Sequence, residues 1–203
     1  SNPSNQLNSE TSDKLINYMI KNKHWSPFEM VDMTVEITTS RGIAQQILRH
    51  RSFVFQEFSQ RYAEATAFEG IQLRKSGATN RQSSLEVFDP VIKIHNNVES
   101  WETEAGNAIQ SYLFEGEMLY KSLLEAGVAK ECARFVLPLT TATKIYMKGT
   151  IRSWLTYLNI RLDEHTQLEH REIALVIAEI FENQFPMTFK ALEGMNGKKG
   201  MFI

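Results

Sequence analysis

Gln46-Ile-Leu-Arg49-His50-Arg51-Ser-Phe-Val-Phe-Gln-Glu57-Phe58-Ser59-Gln60-Arg61-Tyr62 sets the reading of this chain. Three cationic or potentially cationic side chains stand in a row after a short amphipathic segment. Eight residues past Arg51 comes Ser59, with Glu57 and Arg61 two residues to either side. Guanidinium groups are planar forks of donors that fit phosphate oxygens. Carboxylate, amide and hydroxyl side chains can fix a polar ring. The interleaved Phe53, Phe55, Phe58 and Tyr62 can support a flat ring or belong to the core. These residue types point to a site for an anionic ligand that carries a polar ring. The alternative is a basic helix end neutralised by acidic neighbours.

On the N-terminal side, Val31, Met33, Val35 and Ile37 alternate with Asp32, Thr34, Glu36 and Thr38, the period of a half-buried strand. Arg41 to Arg49 reads as a helix with Ile43, Ile47 and Leu48 on its apolar side. Gln46 and Arg49 are three apart and share a face. Earlier, Thr11 or Ser12 caps a helix through Leu15, Ile16, Met19 and Ile20, and His24-Trp-Ser26-Pro27-Phe-Glu29 turns the chain.

On the C-terminal side, residues 63–97 are punctuated by Gly70, Gly77, Asn80 and Pro90, and a surface loop is expected there. It contains Gln72-Leu-Arg74-Lys-Ser and Thr79-Asn-Arg81-Gln82. Val98, Trp101, Ala105, Ala108, Tyr112, Gly116, Leu119, Leu123 and Ala126 predict one helix of about seven turns, ended by Gly127. Its length suits a subunit interface or an internal core helix. Val128 to Pro138 is a short helix, and Leu139 to Lys148 a strand. Thr150 caps a helix that places Arg152, Thr156 and Asn159 on one face. Thr150, Trp154, Tyr157 and Arg161 lie on another. Ile173, Ile177, Ile180 and Phe181 mark a last helix that Pro186 ends.

Length and composition suit one soluble domain of 203 residues. The expected boundaries are a flexible arm at 1–10, a single domain at 11–193 that carries the site and a tail at 194–203. A net charge of -2 gives no broad basic field, so no nucleic-acid partner is expected. The single Cys132 excludes an internal disulfide and agrees with a reducing compartment, hence a cytoplasmic location. It is expected to pack as a small hydrophobe, with a thiol nucleophile as the alternative. No apolar run approaches the roughly 18 residues of a membrane span, and no signal-peptide pattern is present. His165 and Glu169 are four apart, but no third ligand accompanies them, so no metal is expected. Neither a Rossmann nor a P-loop glycine pattern occurs.

Arg49-His50-Arg51, seven residues and then Ser59, together with Gln46, Glu57, Arg61 and Tyr62, resembles the signature of the flavin-dependent thymidylate synthases. Val54 and Gln56 stand where serine and asparagine are usual in that family. His24 to Glu29 is similar to a further segment of the family. Cys132-Ala133-Arg134-Phe-Val-Leu137-Pro138 resembles its Cys-Ala-Arg-x-x-Leu-Pro, and Thr150-Ile-Arg152 to Asn159-Ile-Arg161 its two-arginine helix. Thr150 and Thr156 replace asparagines there.

The expected fold is α+β, a mainly antiparallel sheet packed with several long helices, in one domain, and the resemblance implies assembly as a homotetramer. The resemblance implies methylation of deoxyuridine monophosphate (dUMP) at carbon 5. Methylenetetrahydrofolate donates the carbon, and NADPH supplies reducing equivalents through FAD. It further implies that Arg161 acts on the pyrimidine and that Gln46, Arg49, Glu57, Phe58, Ser59, Gln60, Arg61 and Arg134 bind the nucleotide. Ser26, Arg49, His50, Arg51, Glu57, Thr150, Arg152 and Thr156 would meet the flavin. A non-catalytic nucleotide- or RNA-binding module remains the alternative.

Overall fold

The computed structural model describes residues 11–62, 64, 67–77, 84–96 and 98–196. Helix α1 (Ser12–Lys21) follows Thr11, whose hydroxyl makes no cap bond. A 3-10 turn at Ser26–Glu29, with Pro27 in its first turn, leads to strand β1 (Asp32–Ser40). Met33, Val35 and Ile37 are buried on one face of β1 as expected, but Val31 precedes the strand and is exposed. Ser40 caps α2 (Arg41–Ile47) by accepting from the Ile43 amide at 3.5 Å. That helix ends two residues before Arg49, which continues it only as a turn.

Strand β2 (Val54–Glu57) carries the middle of the signature stretch. Short strands β3 (Arg74–Ser76) and β4 (Ser84–Val87) pair antiparallel inside the segment expected to be a loop. Thr79 to Ser83 lie outside the described residues. Strand β5 (Val91–His95) pairs antiparallel with β6 (Ser100–Glu104), from Val91 opposite Glu104 to His95 opposite Ser100. The Asn96 carboxamide closes this hairpin by accepting from the Val98 and Glu99 amides.

The strand β6 corrects the expectation of one helix from Val98. Helix α3 is Ala105–Glu125, 21 residues and about 32 Å long. Its buried side chains are Ala105, Leu113 and Tyr120, while Tyr112 and Leu119 are exposed. Ala105 is buried as expected, whereas Leu113 and Tyr120, each one residue past an expected position, turn inward in place of Tyr112 and Leu119. Gly127, at φ 85°, follows the helix in the left-handed region that glycine tolerates. Helix α4 (Lys130–Ala133) and a 3-10 turn at Arg134–Val136 precede β7 (Ala142–Thr150). Helices α5 (Ile151–Arg161), α6 (Leu168–Gln184) and α7 (Pro186–Asn196) complete the described chain. On α6 the buried residues are His170, Ala174, Ile177 and Phe181, with Ile180 exposed. Pro186 stops α6, but it also starts α7, which the sequence reading does not contain.

Strands β1, β7 and β2 form a three-stranded sheet in that order. Mixed helix and antiparallel sheet agrees with the α+β expectation, although the strands divide among three small sheets. No helix among the described residues is long and apolar enough to cross a membrane.

The contacts gather into two compact units. One holds the described residues within Ser1–Glu36, His50–Phe55 and Tyr146–Ile203. Its core is Trp154, Tyr157, Phe181, Ile20, Met147 and their neighbours, all fully buried. Here α1 packs on α7, α7 on α6 and α6 on α5. The Trp154 indole N–H donates to the Met33 carbonyl at 3.0 Å, so this buried ring leaves no polar group unsatisfied. The second unit spans Ile37–Arg49 and Gln56–Ile145, with α3 packed on α4, on β6 and on the 3-10 turn at Arg134–Val136.

Phe53, two residues past Arg51, seats edge-on against Trp154 at 4.7 Å and 73°. The space it fills exists because residue 149 is glycine. A Cβ there would stand 2.5 Å from the Phe53 ring. Gly149→Ala should therefore destabilise the fold by about 1–3 kcal/mol through overpacking. Thermal unfolding checks this: a lowered Tm is expected, partly recovered when Phe53→Leu is added. An unchanged Tm in the single variant contradicts the packing.

Candidate functional site

In the first unit the site residues hang on α5. Thr150 caps it, its hydroxyl accepting from the Ser153 amide at 3.2 Å. The Ile151 amide donates to the Val31 carbonyl at 2.9 Å, tying the helix start to the residue before β1. Trp154, Leu155, Tyr157 and Leu158 are buried, whereas Arg152, Thr156 and Asn159 are exposed, the division expected from spacing. Arg152 and Arg161 are nine residues apart, about 14 Å along the axis and half a turn around it. One helix thus presents two cations at opposite ends and on opposite faces.

At the first end, Arg152 pairs with Glu29 of the 3-10 turn. This joins two segments, 123 residues apart, that the sequence reading treats separately. Ser26 opens the same turn and makes no side-chain cap bond. The Thr156 hydroxyl bonds back to the Arg152 carbonyl at 3.2 Å, and Thr150 Oγ1 is engaged with Ser153.

At the other end, Arg161 Nε donates to His50 Nε2 at 2.9 Å. A guanidinium has no lone pair to offer. His50 Nε2 must therefore be the acceptor, which makes the imidazole neutral with its proton on Nδ1. The same conclusion follows from its surroundings: burial, then the charge of Arg161, lowers the His50 pKa to about 4. Among the described residues the two Nη groups of Arg161 have no hydrogen-bond partner, and no carboxylate pairs with it. The His50 ring meets Tyr157 edge-on at 4.9 Å. The Tyr157 hydroxyl lies 3.1 Å from Nε2 of the fully buried His170. His170 too is lowered to about 4, by burial first and then by Arg161 and His50. Burial raises the Tyr157 phenol well above its ordinary value, against a smaller opposing effect of Arg161.

The second unit holds the remaining signature residues. Glu57 Oε1 accepts from the Thr143 hydroxyl at 3.0 Å and lies 3.8 Å from Arg41. Arg41 donates to Gln60 Oε1 at 2.9 Å. Gln60 is 6% exposed, and its Nε2 has no partner among the described residues. Ser59 Oγ accepts from the Arg61 amide at 3.3 Å. The Arg61 side chain reaches Glu131 at 3.1 Å, and Arg134 Nε donates to the Glu131 carbonyl at 3.3 Å. Arg61 and Arg134 thus meet at one glutamate, and Ser59 is bonded to the Arg61 backbone. Arg134, three residues past Glu131, meets its carbonyl and not its carboxylate, which serves Arg61. Phe58 is exposed, and Gln46 is half-buried on α2. Arg49 and Arg51, each exposed in its own unit, have no carboxylate partner among the described residues. Acidic neutralisation of that basic row is therefore not seen there.

Cys132 is exposed, correcting the expectation of a buried packing role. His165 pairs with Asp163 at 2.8 Å. Among the described residues no three His, Cys, Asp or Glu side chains gather as metal ligands. Sequence reasoning gave no site role to Glu29, Arg41, Tyr157 or His170. Spacing did put Tyr157 on the Arg161 face of its helix, the one available signal.

Residues 1–187 match the family model described as thymidylate synthase complementing protein (Thy1). The chain belongs to this family. It is 50% identical over 180 residues, 89% of this chain and 80% of the relative, to a flavin-dependent thymidylate synthase of Synechocystis sp.. It is 48% identical over 195 residues, 95% and 86% of the two chains, to a probable flavin-dependent thymidylate synthase of Paramecium bursaria Chlorella virus 1. A flavin-dependent thymidylate synthase of Thermosipho africanus is 35% identical over 184 residues, 90% and 77% of the two chains. The resemblance carried by the basic row and Ser59 is borne out.

Two histidines that stay neutral in the folded Thy1 chain give it a pH signature. Unfolding returns each to a pKa near 6.5, so the unfolded chain binds more protons between about pH 6.5 and 4. Stability should fall as pH drops through that window and be flat with respect to these groups above it. The buried His170 contributes a slope of up to about 1.4 kcal/mol per pH unit. Denaturant unfolding across the range checks this. His170→Gln should flatten the curve, and an equal slope in both proteins contradicts the assignment.

Proposed function

We propose that this chain is an FAD-dependent thymidylate synthase that converts dUMP to thymidine monophosphate (dTMP). Methylenetetrahydrofolate is the carbon donor and NADPH the reductant. The observation that carries this reading is Arg161. Its Nε is satisfied by a neutral histidine, so its full positive charge and both Nη groups remain available to an anionic ligand. A half-buried cation with no carboxylate partner among the described residues is poorly compensated there and gains strongly from such a ligand.

Arg134, Arg61 and Ser59 anchor the nucleotide phosphate. Arg61 is held meanwhile by an exposed pair with Glu131, an interaction worth about 0–1 kcal/mol. A phosphate dianion forming charge-assisted, forked bonds can displace it. Gln46, Arg49, Glu57, Phe58 and Gln60 complete the nucleotide side, with Glu57 oriented by Thr143 and Arg41. Arg161 faces the pyrimidine edge, where a preorganised cation stabilises negative charge as carbon 5 becomes nucleophilic.

The chain's donors fit a diphosphate-bearing flavin. Arg51 is unpaired among the described residues, Arg152 keeps donors beyond the one held by Glu29, and Ser26 makes no cap bond. Arg49, His50 and Glu57 lie on the same signature stretch. Thr150 and Thr156 fit less well, because their hydroxyls are already engaged with Ser153 and the Arg152 carbonyl. Bound FAD supplies the redox chemistry, and the folate is released as tetrahydrofolate. The assembly proposed is a homotetramer; α3 leaves Tyr112, Phe114, Met118 and Leu119 exposed for such contacts.

The purified protein should be yellow, should be bleached by NADPH without oxygen, and should turn over dUMP. Arg161→Ala should keep its flavin and lose about 10²–10³ in kcat. Arg134→Ala should weaken dUMP binding by about 10–100-fold, the loss of one or two charged hydrogen bonds. A colourless protein that binds RNA oligonucleotides with steep salt dependence would overturn this reading in favour of a non-catalytic module.

A further inference from the structure

Behind the Arg161–His50 pair lies a buried polar layer to which the proposed chemistry assigns nothing. Tyr157 and His170 are each 0% exposed, yet both carry polar groups that a phenylalanine and a leucine would avoid burying. Burying a phenol and an imidazole costs free energy unless they are paired, and these two pair with each other at 3.1 Å.

Their placement relative to His50 is specific. The His50 ring stands edge-on to Tyr157 at 4.9 Å, and perpendicular to His170 at 6.3 Å and to Phe53 at 6.3 Å. The charged or titratable groups facing it are Arg161 and Tyr157 from α5 and His170 from α6. Arg51 of its own loop is exposed, and Glu29, on the turn packed against α5, is taken by Arg152. No carboxylate among the described residues pairs with His50. A protonated His50 would set one cation 2.9 Å from another, with no carboxylate among the described residues paired to it.

We propose that Tyr157 and His170 are positioning residues that hold the His50 imidazole neutral, with Nε2 turned toward Arg161, and so fix the direction of its guanidinium. The last link, from Arg161 to the pyrimidine, rests on the proposed function. The first link, from Tyr157 and His170 to His50, does not. His170 makes its wall without touching water, and the Tyr157 hydroxyl keeps that ring in place. Opening the wall would let water solvate a charged His50, release its hold on Arg161, and move the loss upward from about pH 4 toward the ordinary histidine range.

The test is a pH titration of His50 by NMR in histidine-labelled holoenzyme, run beside the pH profile of kcat/KM for dUMP. The variants are His170→Ala, His170→Asn and Tyr157→Phe. In the parent protein His50 should stay neutral down to about pH 4. In His170→Ala its pKa should rise by about one unit or more, a tenfold change in its protonation equilibrium. The acid limb of kcat/KM should move the same way. His170→Asn keeps an uncharged donor and acceptor for Tyr157 and should recover much of both. Tyr157→Phe keeps the ring and should shift His50 in the same direction, which decides the matter if His170→Ala does not fold.

Unmoved His50 titrations in folded variants would overturn the positioning role. A moved titration with an unchanged acid limb would overturn the link to Arg161. If the parent protein turns over no dUMP, the proposed function fails, and the titration alone still decides the first link.

Discussion

An arginine can only donate, and that asymmetry governs the first unit. Because Arg161 gives its Nε–H to His50, the imidazole must present a bare nitrogen and stay neutral. The guanidinium is then fixed in direction without losing charge. A carboxylate in place of His50 would have held it as firmly and cancelled its charge. The rest of the unit serves this geometry. Trp154 and Gly149 seat Phe53, which anchors the loop that carries His50. Thr150 and the Val31 carbonyl set where α5 begins, and so where its last residue, Arg161, stands.

The second unit treats its cations differently. Arg61 is parked on Glu131 at the surface, where an ion pair is weak and readily exchanged. Arg134 is steered by a backbone carbonyl, which orients without neutralising. Arg41 works inward, bridging Gln60 and Glu57. Gln60 keeps a buried amide donor with no partner among the described residues, which is unusual for a buried polar group.

Much of this was legible in the chain before folding. The basic row, Ser59 and the two-arginine helix carried the family, and the capping threonine and the exposed face of α5 followed from spacing. Strand β6 did not, because Val98, Trp101 and Ala105 happen to fall at helical intervals while the true partner of Trp101 is Ile94 on β5. Pairing across a hairpin leaves no mark in a helical count. The inward face of α3 was read correctly at Ala105 but missed by one residue at its middle, since Leu113 and Tyr120 adjoin equally apolar Tyr112 and Leu119. His50 reads as a cation in a list of residues, and only its burial and its arginine partner make it neutral. Cys132 was misjudged because cysteines are usually buried, whereas its side of α4 faces solvent.

The most direct measurement is the ¹⁵N NMR pattern of the His50 imidazole in the parent protein near neutral pH, where an ordinary histidine is already mostly deprotonated but free to choose its tautomer. Nε2 is expected to be unprotonated and Nδ1 protonated, the single form that can accept from Arg161. A proton on Nε2, alone or with Nδ1, would contradict the arrangement on which the site is built.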